Sequence, residues 1–203
     1  SIADKILTRL KKISDLTKQI LQYASILGKN FSFDLLYKLS QKANREITKE
    51  ALLDALKEAF DNGLIEETLT EYGETNYSFS HDKVNETLLD QLSIESVKKY
   101  NMITAEIIEK DYTGHDKMYK LAYYYLQTDN HEKAYIYNTM SANKAYEIFS
   151  LKLARMFSYN ALSVLKKEPE KKKKERIELS LSISDLNIHL ADFPNNIKLL
   201  EEI

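Results

Sequence analysis

The chain contains no cysteine. That excludes a disulfide framework and a thiolate metal site, and it fits a reducing compartment, so we expect a cytoplasmic protein. Only four glycines and two prolines occur in 203 residues, which argues against turn-rich β structure and for long helices. No stretch reaches the roughly 18–20 apolar residues that a membrane span requires, and Ser1-Ile-Ala-Asp-Lys lacks the charged-then-apolar pattern of a signal peptide. Neither charge sign dominates: the net charge of -2 gives no global reason to bind nucleic acid or an anionic membrane. The four histidines fall in separate segments with no i,i+4 partner, so no metal site is expected. No Ser-His-Asp set or carboxylate pair has a spacing that marks a catalytic site.

What is present is helical periodicity. Apolar residues recur at helical spacing through Ile6 and Leu10, then Leu16, Ile20, Leu21, Ala24 and Leu27. Ser14-Asp15 opens the second of these helices and Gly28 closes it. Phe31-Ser-Phe leads into a third helix with Ser32 as its N-cap. A fourth opens at Thr48, carries the stripe Leu52, Leu53, Leu56 and Phe60, and ends at Asn62-Gly63. Leu64–Leu69 is predicted as a strand, Glu71–Asn76 as its turn, and Tyr77–Ser80 as the returning strand.

The stretch Tyr77–Leu92 is pivotal. Tyr77 and Phe79 alternate with Ser78 and Ser80, and Val84, Leu88, Leu89 and Leu92 then repeat at helical spacing. His81-Asp82 sits at the junction, with Asp82 expected to cap the new helix. Beyond it no strand is predicted. Ile94 to Ile108 form one long stripe; Met118, Leu121, Ala122 and Tyr125 form the next. Ala134, Asn138, Ser141, Ala142 and Ala145 give a small-residue face suited to close packing. Leu151 to Leu165 follow. Lys166–Arg176 is a charged break that reads as a solvated loop. Ile177, Leu181, Ser184 and Ile188 then form a further stripe, halted by Asp192-Phe-Pro194. Short turns between such helices make antiparallel neighbours. Leu121-Ala122, Tyr125 and Ala134 have the spacing of one tetratricopeptide repeat.

We therefore expect a mainly α chain: a winged helix with a small β-hairpin over residues 1–92, then a tetratricopeptide-like α-α superhelix over 93–203. A helical pattern begins at once at Ile2, and the chain stops within an apolar-periodic segment, so a piece of a longer protein is expected.

Residues 20–36 (Ile-Leu-Gln-Tyr-Ala-Ser-Ile-Leu-Gly-Lys-Asn-Phe-Ser-Phe-Asp-Leu-Leu), 55–66 (Ala-Leu-Lys-Glu-Ala-Phe-Asp-Asn-Gly-Leu-Ile-Glu) and 77–89 (Tyr-Ser-Phe-Ser-His-Asp-Lys-Val-Asn-Glu-Thr-Leu-Leu) resemble the winged-helix region of STAND-class signalling ATPases. In bacterial members a tetratricopeptide-like superhelix follows it. The resemblance implies an upstream ATPase module in cis, because no Gly-x-x-x-x-Gly-Lys-[Ser/Thr] loop occurs here. It also implies a role for His81: in related switches the histidine of a Met-His-Asp motif reaches the β-phosphate of ADP and holds the closed state. Ser80 stands where plant members have Met. The resemblance thus implies ADP or ATP in the parent protein, no cofactor in this chain, and no catalysis by it.

The residues leave plainer alternatives. His81 packed beneath the wing would be structural. A protein-interaction scaffold without nucleotide sensing is a second reading, and a DNA-binding regulator a third. The DNA reading is disfavoured, because residues 1–92 hold 12 Lys and Arg against 15 Asp and Glu and the helix from Thr48 to Asn62 is acidic. Ten of fourteen tyrosines follow residue 92. Consecutive positions on a helix point in different directions, so Tyr119, Tyr123 and Tyr124 are candidates to line a groove for a protein partner of the repeats.

Overall fold

The computed structural model describes residues 2–69, 75–167 and 172–202. They are mainly helical, with eleven helices and one small three-stranded antiparallel sheet among them. The chain divides into two compact units, residues 1–107 and 108–203. Among the described residues no helix is long and apolar enough to cross a membrane.

The first unit begins with α1 (Ile2–Leu10), α2 (Asp15–Leu27), β1 (Asn30–Ser32), α3 (Phe33–Ala43) and α4 (Lys49–Asp61). It continues with β2 (Ile65–Leu69), β3 (Thr75–Phe79) and α5 (Asp82–Leu89). Ser14, Ser32 and Thr48 cap α2, α3 and α4, each accepting a hydrogen bond from the backbone N–H three residues on, which satisfies donors a helix start leaves orphaned. The Ser14 cap is also tied across the unit. Glu58 of α4 accepts from the Ser14 N–H at 3.0 Å and its hydroxyl at 2.8 Å, and from the Thr17 hydroxyl. Those bonds, Thr17's foremost, hold the Glu58 carboxyl below its ordinary range.

The sheet has one strand more than the expected hairpin. β3 pairs with β2 on one side and β1 on the other, giving the order β1-β3-β2. Three residues are too few to show a period-two pattern, and Ser32 serves β1 and the α3 cap together. The expected turn lies outside the described residues at 71–74, while Thr75 and Asn76 belong to β3. Phe31 pairs with Tyr77 across the ladder, its ring 5.9 Å from that of Tyr77 and 5.5 Å from that of Phe79. This aromatic face closes over α2, whose Ile20, Leu21, Tyr23 and Ala24 form the centre of the core with Leu36, Leu52, Leu64 and Leu88.

The face of α4 is rotated from its expected stripe. Leu52, Ala55, Leu56 and Ala59 are buried, and Leu53 and Phe60 face solvent. The two alanines let α4 lie close to α2, and the larger residues turn outward. The helix α6 (Ile94–Asp111) contributes to both units. Its Tyr100, Ile103 and Ile107 pack against the first unit's core, and Tyr100 meets Tyr23 edge to face at 4.9 Å. The division therefore falls after Ile107, past the boundary expected after residue 92.

The second unit holds α7 (Lys117–Leu126), α8 (His131–Glu147), α9 (Leu151–Leu165), α10 (Lys173–His189) and α11 (Phe193–Glu201), each packed on the next. The small-residue face of α8 is buried as expected. It brings α8 close enough to α7 for Asn138 to donate to the Ala122 carbonyl at 3.1 Å, and for Ser141 to donate to that of Met118. The stripe expected for α10 holds at Ser184 and fails at Leu181 and Ile188. Ser180, Ile183, Ser184 and Asn187 are buried, and Leu181 and Ile188 are exposed. Asn187 takes the inward face with partners there: it donates to the Tyr159 hydroxyl and accepts from Arg155, which also pairs with Asp192 at 2.6 Å. The helices α8 and α10 both end on a non-glycine residue with positive φ, Phe149 and Ala191. In each case the next residue's N–H reaches back five positions, from Ser150 to Ala145 and from Asp192 to Asn187, the Schellman closure.

Candidate functional site

The β3–α5 junction is built by its neighbours. Gly63 ends α4 at φ 63, a left-handed conformation that suits glycine. Its carbonyl accepts from Arg9 at 2.9 Å and from the Ser80 hydroxyl at 2.8 Å. Ser80 also donates through its backbone N–H to the Leu64 carbonyl, and the Phe79 N–H donates to Lys29. A methionine at position 80 would keep the backbone bond and lose the hydroxyl contact to Gly63. We expect Ser80→Ala to cost about 1 kcal/mol, the worth of a part-buried hydrogen bond, read as a lower urea midpoint with an unchanged slope.

The cap itself differs from expectation. His81, not Asp82, is the N-cap of α5: its Nδ1 accepts from the Lys83 N–H at 3.1 Å. Asp82 is the first helical residue and pairs with Lys29 at 2.8 Å, a contact that holds its carboxyl below the usual range. The cap bond has a chemical consequence. An Nδ1 that accepts carries no proton, so in the neutral ring the proton sits on Nε2. His81 is exposed and offers solvent an N–H donor beside the positive end of a helix.

No known family model, curated protein or solved structure matches this chain.

The tyrosines do not form one surface. Tyr124 is buried, 5% exposed, and cannot present its ring to a partner; burial also pushes its phenol up. Tyr119 is half-buried and stacked on Phe157 at 5.3 Å. Only Tyr123 stands out from α7, 54% exposed.

A second polar cluster was not foreseen. Glu109 of α6 accepts from Lys133 at 2.6 Å, from the Tyr125 hydroxyl at 2.8 Å and from the Tyr137 hydroxyl at 2.7 Å. The Tyr125 and Tyr137 rings are stacked at 5.5 Å, and the Lys133 ammonium lies 5.1 Å from the Tyr125 ring centre. Partial burial disfavours the Glu109 carboxylate, but the bonds from Lys133, Tyr137 and Tyr125 outweigh it and hold the carboxyl at about 2. Burial and the neighbouring carboxylate push Tyr137 up to about 12, and the Glu109 hydrogen bond raises Lys133. Glu109 is thereby fixed as a weakly basic carboxylate while Lys133, Tyr125 and Tyr137 hold their protons more firmly, the reverse of what a general base or nucleophile needs. The cluster is a clamp joining the last turn of α6 to α7 and α8. Among the described residues no group of three or more His, Asp or Glu is placed to hold a metal ion.

Proposed function

We propose that this chain is a regulatory, non-catalytic module of a cytoplasmic STAND-type signalling ATPase: a winged helix followed by tetratricopeptide-like helix pairs, coupling nucleotide state to a protein partner. Supporting the winged-helix part, α2, β1, α3 and α4 precede the β2–β3 wing, and β1 joins the wing's returning strand. Supporting the repeat part, Leu121, Ala122, Tyr125 and Ala134 are all buried between neighbouring helices. The observation that carries the nucleotide role is the outward Nε2–H of His81, fixed by its own cap bond. Such a donor suits the β-phosphate of ADP bound by an ATPase module in cis. A phosphate contact made in one state alone shifts the population toward that state.

The test is nucleotide release from the purified full-length protein, native and His81→Ala. Stoichiometric ADP in the native protein, falling at least tenfold in a folded variant, is the expected result. A donor bond to a charged phosphate is worth about 1.5–3 kcal/mol, and 1.4 kcal/mol is tenfold in affinity. Equal ADP in both would return His81 to a structural role; no ADP in either would overturn the switch.

The scaffold reading draws on a different observation. The outer face of α4 exposes Leu53 and Phe60 among Glu50, Asp54 and Asp61, with only Lys49 and Lys57 as cations. That face suits protein contact better than phosphate.

A further inference from the structure

A groove of about 260 Å³ runs along the second unit between α8 and α10, with α9 as its floor. It exists because α9 presents Ala154 and Ser158 there; larger side chains would fill it. The deep part of the groove is apolar, from Ala142 of α8, Ala154 of α9 and Leu186 of α10, all buried. The walls carry a different chemistry. Asp185 is exposed on α10, and its carboxylate has no ion-pair partner among the described residues. One turn on, the Nδ1 of His189 lies 2.7 Å from the Asp185 carbonyl. A carbonyl can only accept, so Nδ1 carries the proton, and the Nε2 of the neutral ring is an acceptor. Opposite, on α8, Tyr146 is 56% exposed and lines the same groove. Among the described residues no Lys or Arg lines the groove. The cation beside the floor, Arg155, is already engaged by Asp192 and Asn187.

An acceptor wall, an uncompensated carboxylate and an available aromatic face complement a planar, donor-rich cation. A guanidinium can bond a carboxylate with two parallel N–H groups and stack on a tyrosine, whereas an ammonium does neither as well. We propose that this groove docks an extended segment of a protein partner through an arginine side chain, held between Asp185 and Tyr146. The proposal rests on reading the second unit as the partner-binding part of the molecule; it is independent of nucleotide sensing by His81.

The test follows backbone amide signals of the whole chain by NMR, in mildly alkaline buffer. The probes are acetyl-Leu-Ala-Arg-Ala-Leu-amide and its twin with citrulline, which keeps the shape of arginine and loses its charge. Shifts confined to residues 142–158 and 182–189 are expected, with the arginine peptide binding about fivefold or more tighter, the range of an exposed ion pair plus stacking. In Asp185→Asn, whose spectrum should stay folded, the two peptides should bind alike. Ser182→Trp, a change at an exposed wall position, should block both. Equal binding of the two peptides to the native chain, shifts elsewhere, or no shift at millimolar peptide would each overturn the arginine site. None of these outcomes touches the ADP measurement, so the site and the switch can fail separately.

Discussion

Glu109→Gln should lower stability at neutral pH by about 2 kcal/mol and remove part of the chain's sensitivity to acid. The carboxyl ordinarily titrates at 4.5 and here at about 2. A folded value below the unfolded one gives stability that is complete above the ordinary value and is lost as pH falls toward the folded one. The full displacement would correspond to about 3 kcal/mol. The Lys133 side chain is 39% exposed and that of Glu109 31%, so solvent screens part of it and about 2 is the better figure. Urea unfolding read from amide signals of α7 and α8 should show native and variant chains far apart at neutral pH. The gap should close between pH 4.5 and 2, as the native carboxylate takes up its proton. A gap constant over that range would mean the amide disturbs packing rather than charge.

Ala145→Leu should cost still more, about 3 kcal/mol, for a reason with no charge in it. Ala145 is fully buried and packs with Ala154 and Leu186, where α8 meets α9 and α10. Ala145 is not among the residues that line the groove beside Ala154 and Leu186, so a leucine there must push α8 from α9 or leave its rotamer. Ala145→Ser adds a single atom and should cost far less. A thermal scan of the three proteins separates the cases: a clear loss for leucine and a small one for serine is expected, and equal losses would show that polarity rather than volume is resisted at this position.

These two sites also mark where sequence reasoning succeeds and where it stops. The face holding Ala145 was legible, because Ala134, Asn138, Ser141, Ala142 and Ala145 repeat at helical spacing on one element. The caps Ser14, Ser32 and Thr48 were legible for a similar reason, since the donor lies three residues from the acceptor. The Glu109 clamp was not, because its members come from three helices and no local spacing links residue 109 to 125, 133 and 137. The faces of α4 and α10 were misjudged because the expected stripes followed residue size. Ala55 and Ala59 of α4, and Ser180 and the hydrogen-bonded Asn187 of α10, lie inward, while Leu53, Phe60, Leu181 and Ile188 lie outward. The junction lay between these cases. His81 stood out, but its role as the cap depended on a ring nitrogen meeting the Lys83 N–H, which a preference for aspartate at that position obscured.

The closures at Phe149 and Ala191 bear on how a helix ending is written. Both residues turn the chain after a long helix, α8 and α10, in a conformation that glycine reaches without strain, yet neither is glycine. The recurrence is thus carried by backbone shape, not by a recurring letter. A scan for glycine punctuation passes over both corners. Substituting glycine at either should keep the turn and relieve its side-chain crowding, which makes these corners places where the chain can drift in sequence while its helices keep the same beat.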